Sequence, residues 1–287
     1  MDDVIVVDGD GRLLSEAQPL LFADDLGVLH GDGVFETMLV RSGRTRLVDA
    51  HLARLADGAA RLDLPAPDVD GLRRAVALAE VEWTTSGPYS VDGALRVVHT
   101  RGRESDPGVP TSYVTVSPVP ERSVRARRDG VRVTLLSKAH DPDVAAPWEL
   151  SGAKALSYAR STAALRYARG RGFDDAIYVS SAGTVLESPR ANVVAVVDGA
   201  LTATPTGDGV LAGTTQAAVF DVAARHGLAV RYRRMTPADL VAAEGVWLLS
   251  ALTLAARVRQ VDRHVLPEQP KNAVDVEKLI IEAISTP

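Results

Sequence analysis

The chain has 287 residues, 46% of them apolar, which is enough for one large domain or two modest ones with cores of their own. Its 32 basic and 37 acidic side chains leave a formal charge of −5, and the one dense arginine run, Arg122 to Arg128, is short, so a nucleic-acid surface has little electrostatic support. With no cysteine, disulfides, thiolate catalysis and cysteine-held clusters are excluded.

The start, MDDVIVVDGDG, has acids where a signal peptide needs positive charge, and no apolar stretch nears the roughly 18 residues that span a bilayer. A reducing cytoplasm is the expected compartment, with no membrane partner. Val4 to Val7 and Leu13-Leu14 flank Asp8-Gly9-Asp10-Gly11, which predicts an opening hairpin. Val34 to Val40 is strand-like, Ser42-Gly43 a turn, and Thr45 to Val48 a returning strand. Asp49 is a plausible N-cap for a helix carrying His51, Leu52, Leu55, Ala59 and Leu62, which Leu64-Pro65 ends; Asp70 to Val81 predicts a second helix. Ala94 to Thr100 and Ser112 to Ser117 are β-branched runs around an arginine- and glycine-rich loop.

Pro118, Pro120 and the charges that follow mark a domain boundary near residue 121, because prolines break elements and charges resist burial. The expected division is thus 1–120, a smaller α/β domain of mostly antiparallel strands with helices to one side, and 121–287, a larger one. The second begins with the strand Val131 to Leu136. Lys154 follows among small residues, Gly152, Ala153 and Ala155, where partial desolvation would favour the neutral, nucleophilic amine. Leu156, Ala159, Ala163, Leu165 and Ala168 then recur at helical spacing, which would put Tyr158 on the same helical face as Lys154. Strands are expected at Ala176 to Val179, Thr184 to Glu187, Asn192 to Val197, Ala229 to Arg233 and Val246 to Leu249, and helices at Thr214 to His226, Pro237 to Ala243 and Asp275 to Ile284. The fold class is α/β (α+β) in two domains.

Read in order, Gly31-Asp32-Gly33-Val34-Phe35-Glu36-Thr37, His51-Leu52-Ala53-Arg54-Leu55, Lys154-x-Leu-x-Tyr158, Gly-Phe-Asp-Asp-Ala, Gly183-Thr-Val-Leu-Glu187-Ser with Asn192, and Gly209-Val-Leu-Ala-Gly213-Thr214-Thr215 resemble the class IV aminotransferases, fold-type IV pyridoxal-phosphate enzymes. That family includes branched-chain and D-amino acid aminotransferases and 4-amino-4-deoxychorismate lyases. The resemblance implies pyridoxal 5′-phosphate in a cleft between the domains and a homodimer that completes each site. It implies that Lys154 carries the cofactor's aldehyde and shuttles the substrate proton, and that Glu187 keeps the pyridine nitrogen protonated so that the ring is an electron sink. Thr214 and Thr215 open a helix whose amides and dipole would favour a phosphate, although taken by themselves ordinary threonine capping is the better explanation. Arg54 matches the arginine that balances the phosphate charge; Tyr158 would reach the ring oxygen, and Asn192 belongs to the same cofactor-binding set. For substrate, Thr37 and Leu252 match lining positions, and Arg96, Arg101 and Arg103 could each fork onto a carboxylate, Arg101 foremost.

Other chemistries lack their marks. Gly31-x-Gly33 has no third glycine of a dinucleotide fingerprint, no phosphate-loop Gly-Lys-Ser/Thr or Gly-x-Ser-x-Gly elbow occurs, and the six histidines are not at metal-ligand spacing, so no metal is expected. Within the family, Gln216 and Leu26 stand where many relatives have arginine. Ser250-Ala251-Leu252 stands where branched-chain enzymes usually have a threonine and lyases read Asn-Ala-Leu. The expected activity is therefore aminodeoxychorismate lyase, with a branched-chain or D-amino acid aminotransferase as the alternative.

Overall fold

The computed structural model describes residues 4–15, 19–86, 91–144, 148–268 and 274–285. Contacts divide the chain into two compact units, Met1–Pro120 with Ala153–Tyr158, and Glu121–Gly152 with Ala159–Pro287.

The first unit contains β1 (Ile5–Asp8), β2 (Leu13–Leu14), α1 (Leu26–Leu29), β3 (Gly33–Arg41), β4 (Arg44–Thr45), α2 (Val48–Arg61), α3 (Val69–Ser86), β5 (Gly93–Thr100) and β6 (Thr111–Pro118). The strands form one antiparallel sheet in the order β2-β1-β6-β5-β3-β4. Period-two alternation gives this sheet two unlike faces. On one, Val34, Met38, Val40, Leu95, Val97, Val114 and Val116 bury against Leu52, Leu55 and Ala59 of α2 and Leu72, Ala75, Val76 and Ala79 of α3. Each such large side chain contributes about 1.5–3 kcal/mol by leaving water. The other face carries Phe35 and Thr37, which stand opposite Val98 and Arg96 of β5.

The second unit contains α4 (Glu121–Asp129), β7 (Val131–Ser137), α5 (Ala159–Gly170), β8 (Asp175–Val179), β9 (Asn192–Val197), β10 (Ala200–Ala203), α6 (Thr214–Arg225), β11 (Val230–Tyr232), α7 (Pro237–Ala242), β12 (Gly245–Ser250), β13 (Leu254–Val261), β14 (His264–Val265) and α8 (Val276–Ser285). Its mixed sheet runs β11-β10-β9-β12-β13-β7-β8, with β14 beside β13. Val133, Ile177, Val193, Ala195, Val246, Leu248, Ala256 and Val258 form its core.

Four expectations are corrected. A single cut near residue 121 does not describe the division, because Ala153–Tyr158 return to the first unit. Lys154 to Tyr158 are not helical: Ala155 bridges Val34, and α5 starts only at Ala159. The returning strand expected at Thr45 to Val48 is confined to Arg44–Thr45, because Val48 already opens α2. The N-cap of α2 is Leu47, held left-handed at φ 55°, and Asp49 lies inside the first turn, where its carboxylate complements the helix dipole.

Candidate active site

Lys154 is placed by main-chain pairing to β3. Phe35 N–H donates to the Lys154 carbonyl at 3.0 Å, and Leu156 N–H donates to the Gly33 carbonyl at 2.8 Å. The glycines of the Gly31-Asp32-Gly33 motif make this approach feasible. A Cβ on Gly33 would lie 2.7 Å from both the His99 carbonyl oxygen and Leu156 Cδ1, and one on Gly31, already at φ +69°, would lie 3.0 Å from Ser157 N. The motif therefore serves close passage of two chain segments. Lys154 Nζ sits 4.7 Å from the centre of the Phe35 ring, Arg96 lies 5.2 Å from the same centre, and Tyr158 meets that ring edge-on at 5.8 Å. Phe35 thus gathers both cations and Tyr158 through its electron-rich face and its edge. Thr37 lies two residues along the same face, in register with Arg96.

The two arginines assigned to anions have different surroundings. Arg54 forks onto the fully buried Glu36, with Nε to Oε1 and Nη2 to Oε2 both at 2.7 Å. His51 Nδ1 meets Glu36 Oε2 at 2.6 Å. Burial pushes the Glu36 carboxyl up, but the bonds from His51 and Arg54 outweigh it and hold the group at about 2. Burial lowers His51, and although Glu36 opposes this, the net direction is down, so a neutral ring donates its Nδ1 proton to an ionised carboxylate. Glu36 and His51 were legible only as parts of motifs and carried no role in the sequence.

Arg101 is committed elsewhere. Its Nε donates to Asp32 at 2.6 Å, and its terminal nitrogens donate to the carbonyls of Asp63 and Leu62 at 2.9 and 3.0 Å. It ties the loop after β5 to the end of α2, which is a structural occupation for the residue placed foremost for substrate. Arg103 pairs with Asp24 at 2.9 Å and stacks on Phe22. Arg96 is exposed on the Phe35 face.

In the second unit the candidate residues converge on one loop. Glu187 bridges Asn192 across the Ser188–Ala191 turn. Glu187 Oε2 accepts from Leu211 N–H at 3.0 Å, and Asn192 Nδ2 donates to the Leu211 carbonyl at 2.8 Å. Two residues on, Gly213 caps α6 without a side-chain bond, and a Cβ there would fall 2.0 Å from Asn192 Oδ1. The main chain passes against Asn192 and delivers Thr214 and the buried Thr215 as the first residues of α6. Leu249 of β12 pairs with Asn192, so the Ser250-to-Thr253 turn leaves the sheet at this end. Arg127 Nε holds the Leu252 carbonyl in that turn at 2.8 Å.

The donor sets suit pyridoxal phosphate group by group. A lysine set on an aromatic ring suits the aldehyde, a carboxylate suits a protonated pyridine nitrogen, and a helix start with no side-chain cap and two threonines suits a phosphate.

The family model described as amino-transferase class IV matches residues 33–261. The chain is 47% identical over 275 residues to the bifunctional aminodeoxychorismate lyase / D-amino acid transaminase of Mycobacterium tuberculosis, covering 93% of this chain and 94% of that one. A solved structure, the PLP-bound form of a hypothetical aminotransferase from M. tuberculosis, superposes with a TM-score of 0.94 at 46% identity over 98% of both chains. The α-ketoglutarate- and PMP-bound form of that aminotransferase superposes equally well, with a TM-score of 0.94, 46% identity and 98% coverage of both chains.

Proposed function

We propose, from the premise that this chain belongs to the class IV aminotransferase family and is a pyridoxal-phosphate-dependent enzyme, that it is a 4-amino-4-deoxychorismate lyase with a D-amino acid transaminase activity in the same site. When bound, the cofactor supplies an electron sink for a carbanion at the substrate carbon. The protein's share is to hold, orient and move protons. Lys154 would hold the cofactor's aldehyde carbon and, with its amine free when substrate is bound, would take the proton from the ring carbon that bears the substrate's amino group. The ether bond to the three-carbon arm would then break with its electron pair on oxygen, the arm would leave as enolpyruvate and take a proton at its methylene carbon to become pyruvate, and the ring would be left aromatic as 4-aminobenzoate. Glu187 keeps the pyridine nitrogen protonated, and Asn192 steadies the loop that Glu187 grips. Thr214, Thr215 and the first amides of α6 take the phosphate together with Arg54. Tyr158 orients the ring oxygen.

The observation that carries this reading is the seat of Lys154, locked by two main-chain bonds to β3 and set on Phe35. Arg96, on that ring and exposed, takes the substrate-carboxylate role in place of Arg101; Thr37 and Leu252 line the substrate side. The transaminase activity is favoured by the bifunctional M. tuberculosis relative and by the α-ketoglutarate-bound structure. A homodimer in the cytoplasm, contributing 4-aminobenzoate to folate synthesis, completes the reading; among the described residues, no helix is long and apolar enough to cross a membrane.

The test is a pair of assays on one preparation. Aminodeoxychorismate should release pyruvate with no keto acid added, and D-alanine with 2-oxoglutarate should give D-glutamate. Transamination without pyruvate release overturns the lyase assignment, and transamination of leucine in its L form instead of D-alanine points to the branched-chain alternative.

A further inference from the structure

The Glu36–His51–Arg54 cluster is the most completely buried ionic arrangement in the first unit, and the roles given above leave two of its members unused. Glu36 and His51 are 0% and 1% exposed. Three donors converge on the two Glu36 oxygens, from His51 Nδ1 at 2.6 Å and from Arg54 Nε and Nη2 at 2.7 Å. A buried ion pair stabilises a fold poorly compared with apolar side chains of the same volume, because both charges must leave water. What it supplies here is geometry. The fork takes two of the five N–H groups of Arg54 and fixes the plane of its guanidinium, while the neutral His51 closes the remaining side of the carboxylate. Glu36 cannot swing away, since it is carried by the centre of β3, between Phe35 and Thr37, and β3 pairs with β5 from Gly33 to Val40.

We propose that Glu36, backed by His51, is a positioning residue that aims Arg54 at the cofactor's phosphate. Glu36 itself touches neither cofactor nor substrate. This rests on reading Arg54 as the phosphate's arginine. It adds that the aim of Arg54 is set from inside the sheet, by a residue on the opposite face from the one that carries Lys154 on Phe35.

The test measures the affinity of apoenzyme for pyridoxal phosphate and for pyridoxal, which lacks the phosphate, by fluorescence titration. Arg54→Ala, Glu36→Gln and the double variant are compared with the parent protein. Glu36→Gln should weaken pyridoxal phosphate about tenfold to a hundredfold, the range seen when the outer partner of a bound-group ligand is removed, and leave pyridoxal unchanged. Arg54→Ala should show the same selectivity, and the double variant should lose no more than Arg54→Ala does, because the two residues act as one unit. The 31P resonance of the bound cofactor should move in Glu36→Gln, a change that a merely structural defect elsewhere would not produce. If Arg54→Ala is selective for the phosphate but Glu36→Gln weakens both ligands alike, or neither, the positioning role is overturned while the reading of Arg54 stands. If Arg54→Ala shows no selectivity, that reading fails and the inference fails with it. Should Glu36→Gln not fold, Glu36→Asp keeps the charge and withdraws it by one methylene, and the same selective loss is required of it.

Discussion

In the first unit the chemistry-bearing side chains meet through their own atoms, Lys154 above Phe35 at 4.7 Å and Arg54 on Glu36 at 2.7 Å. In the second they act through main chain, with Glu187 and Asn192 gripping Leu211 and α6 presenting its first amides. The first arrangement depends on charge state and on glycines that let two segments touch. The second depends on backbone course and on a single carboxylate. Substitutions and acid should therefore affect the two units differently.

The largest effect is expected at the carboxylate of the second unit. Glu187→Gln keeps the size and removes the charge, so turnover should fall roughly 10²–10³-fold, the scale on which one electrostatic partner of a transition state acts, while cofactor is still retained. Steady-state pyruvate release with a cofactor count decides it, and near-parental turnover would leave Glu187 only as the anchor of Leu211.

Acid should act first on the first unit. Glu36 is held at about 2 against 4.5 when unfolded, so it contributes stability above pH 4.5 that is lost as pH falls toward 2, about 3 kcal/mol across the interval. His51 and His99 are lowered from 6.5 by burial, so the unfolded chain binds their protons first and stability already declines below that pH. Urea midpoints measured from pH 7 to pH 3 should fall in these two stages. In Glu36→Gln the lower stage should flatten, and an unchanged lower stage would move its origin to another carboxylate.

Gly33→Ala tests whether close passage seats the lysine. The new methyl must displace His99 backbone or the Lys154 segment, at about 1–3 kcal/mol, and turnover should drop with stability. The same change at Gly207, where a Cβ meets nothing within 4 Å and φ, as at Gly33, is not positive, is the control without crowding. Equal losses at both positions would remove the crowding argument. The smallest effect separates two arginines. Arg101→Ala should lower stability by about 1 kcal/mol with little change in KM, whereas Arg96→Ala should raise KM and leave stability nearly intact. The reverse pattern restores Arg101 as the carboxylate ligand.

Much of this was legible where one stretch of chain builds one feature. The Gly209-to-Thr215 run is contiguous, and the helix start expected at Thr214 is where α6 begins. Strands β3, β5 and β6 announced themselves by β-branched residues and alternation. The failures came where distant partners override local pattern. Leu156, Ala159 and Ala163 have helical spacing, yet pairing of residues 154–156 with β3 keeps this stretch out of a helix, so Tyr158 comes to the site around Phe35 and not along a helix face. Arg101 looked available for substrate because nothing in its own loop reveals Asp32 and the carbonyls of Asp63 and Leu62 just past α2, 38 and 39 residues back in the chain. Glu36 in a strand and His51, 15 positions on in a helix, gave no sign of meeting, since the chain between them includes the β3–β4 turn.

The central claim is that the lysine seated on Phe35 carries the cofactor, and reduction of the holoenzyme with borohydride followed by peptide mapping tests it most directly. The expected result is one stable phosphopyridoxyl label, on Lys154, and its disappearance in Lys154→Ala. A label on Lys138 or another lysine in the parent protein, or an undiminished label in Lys154→Ala, would contradict the account.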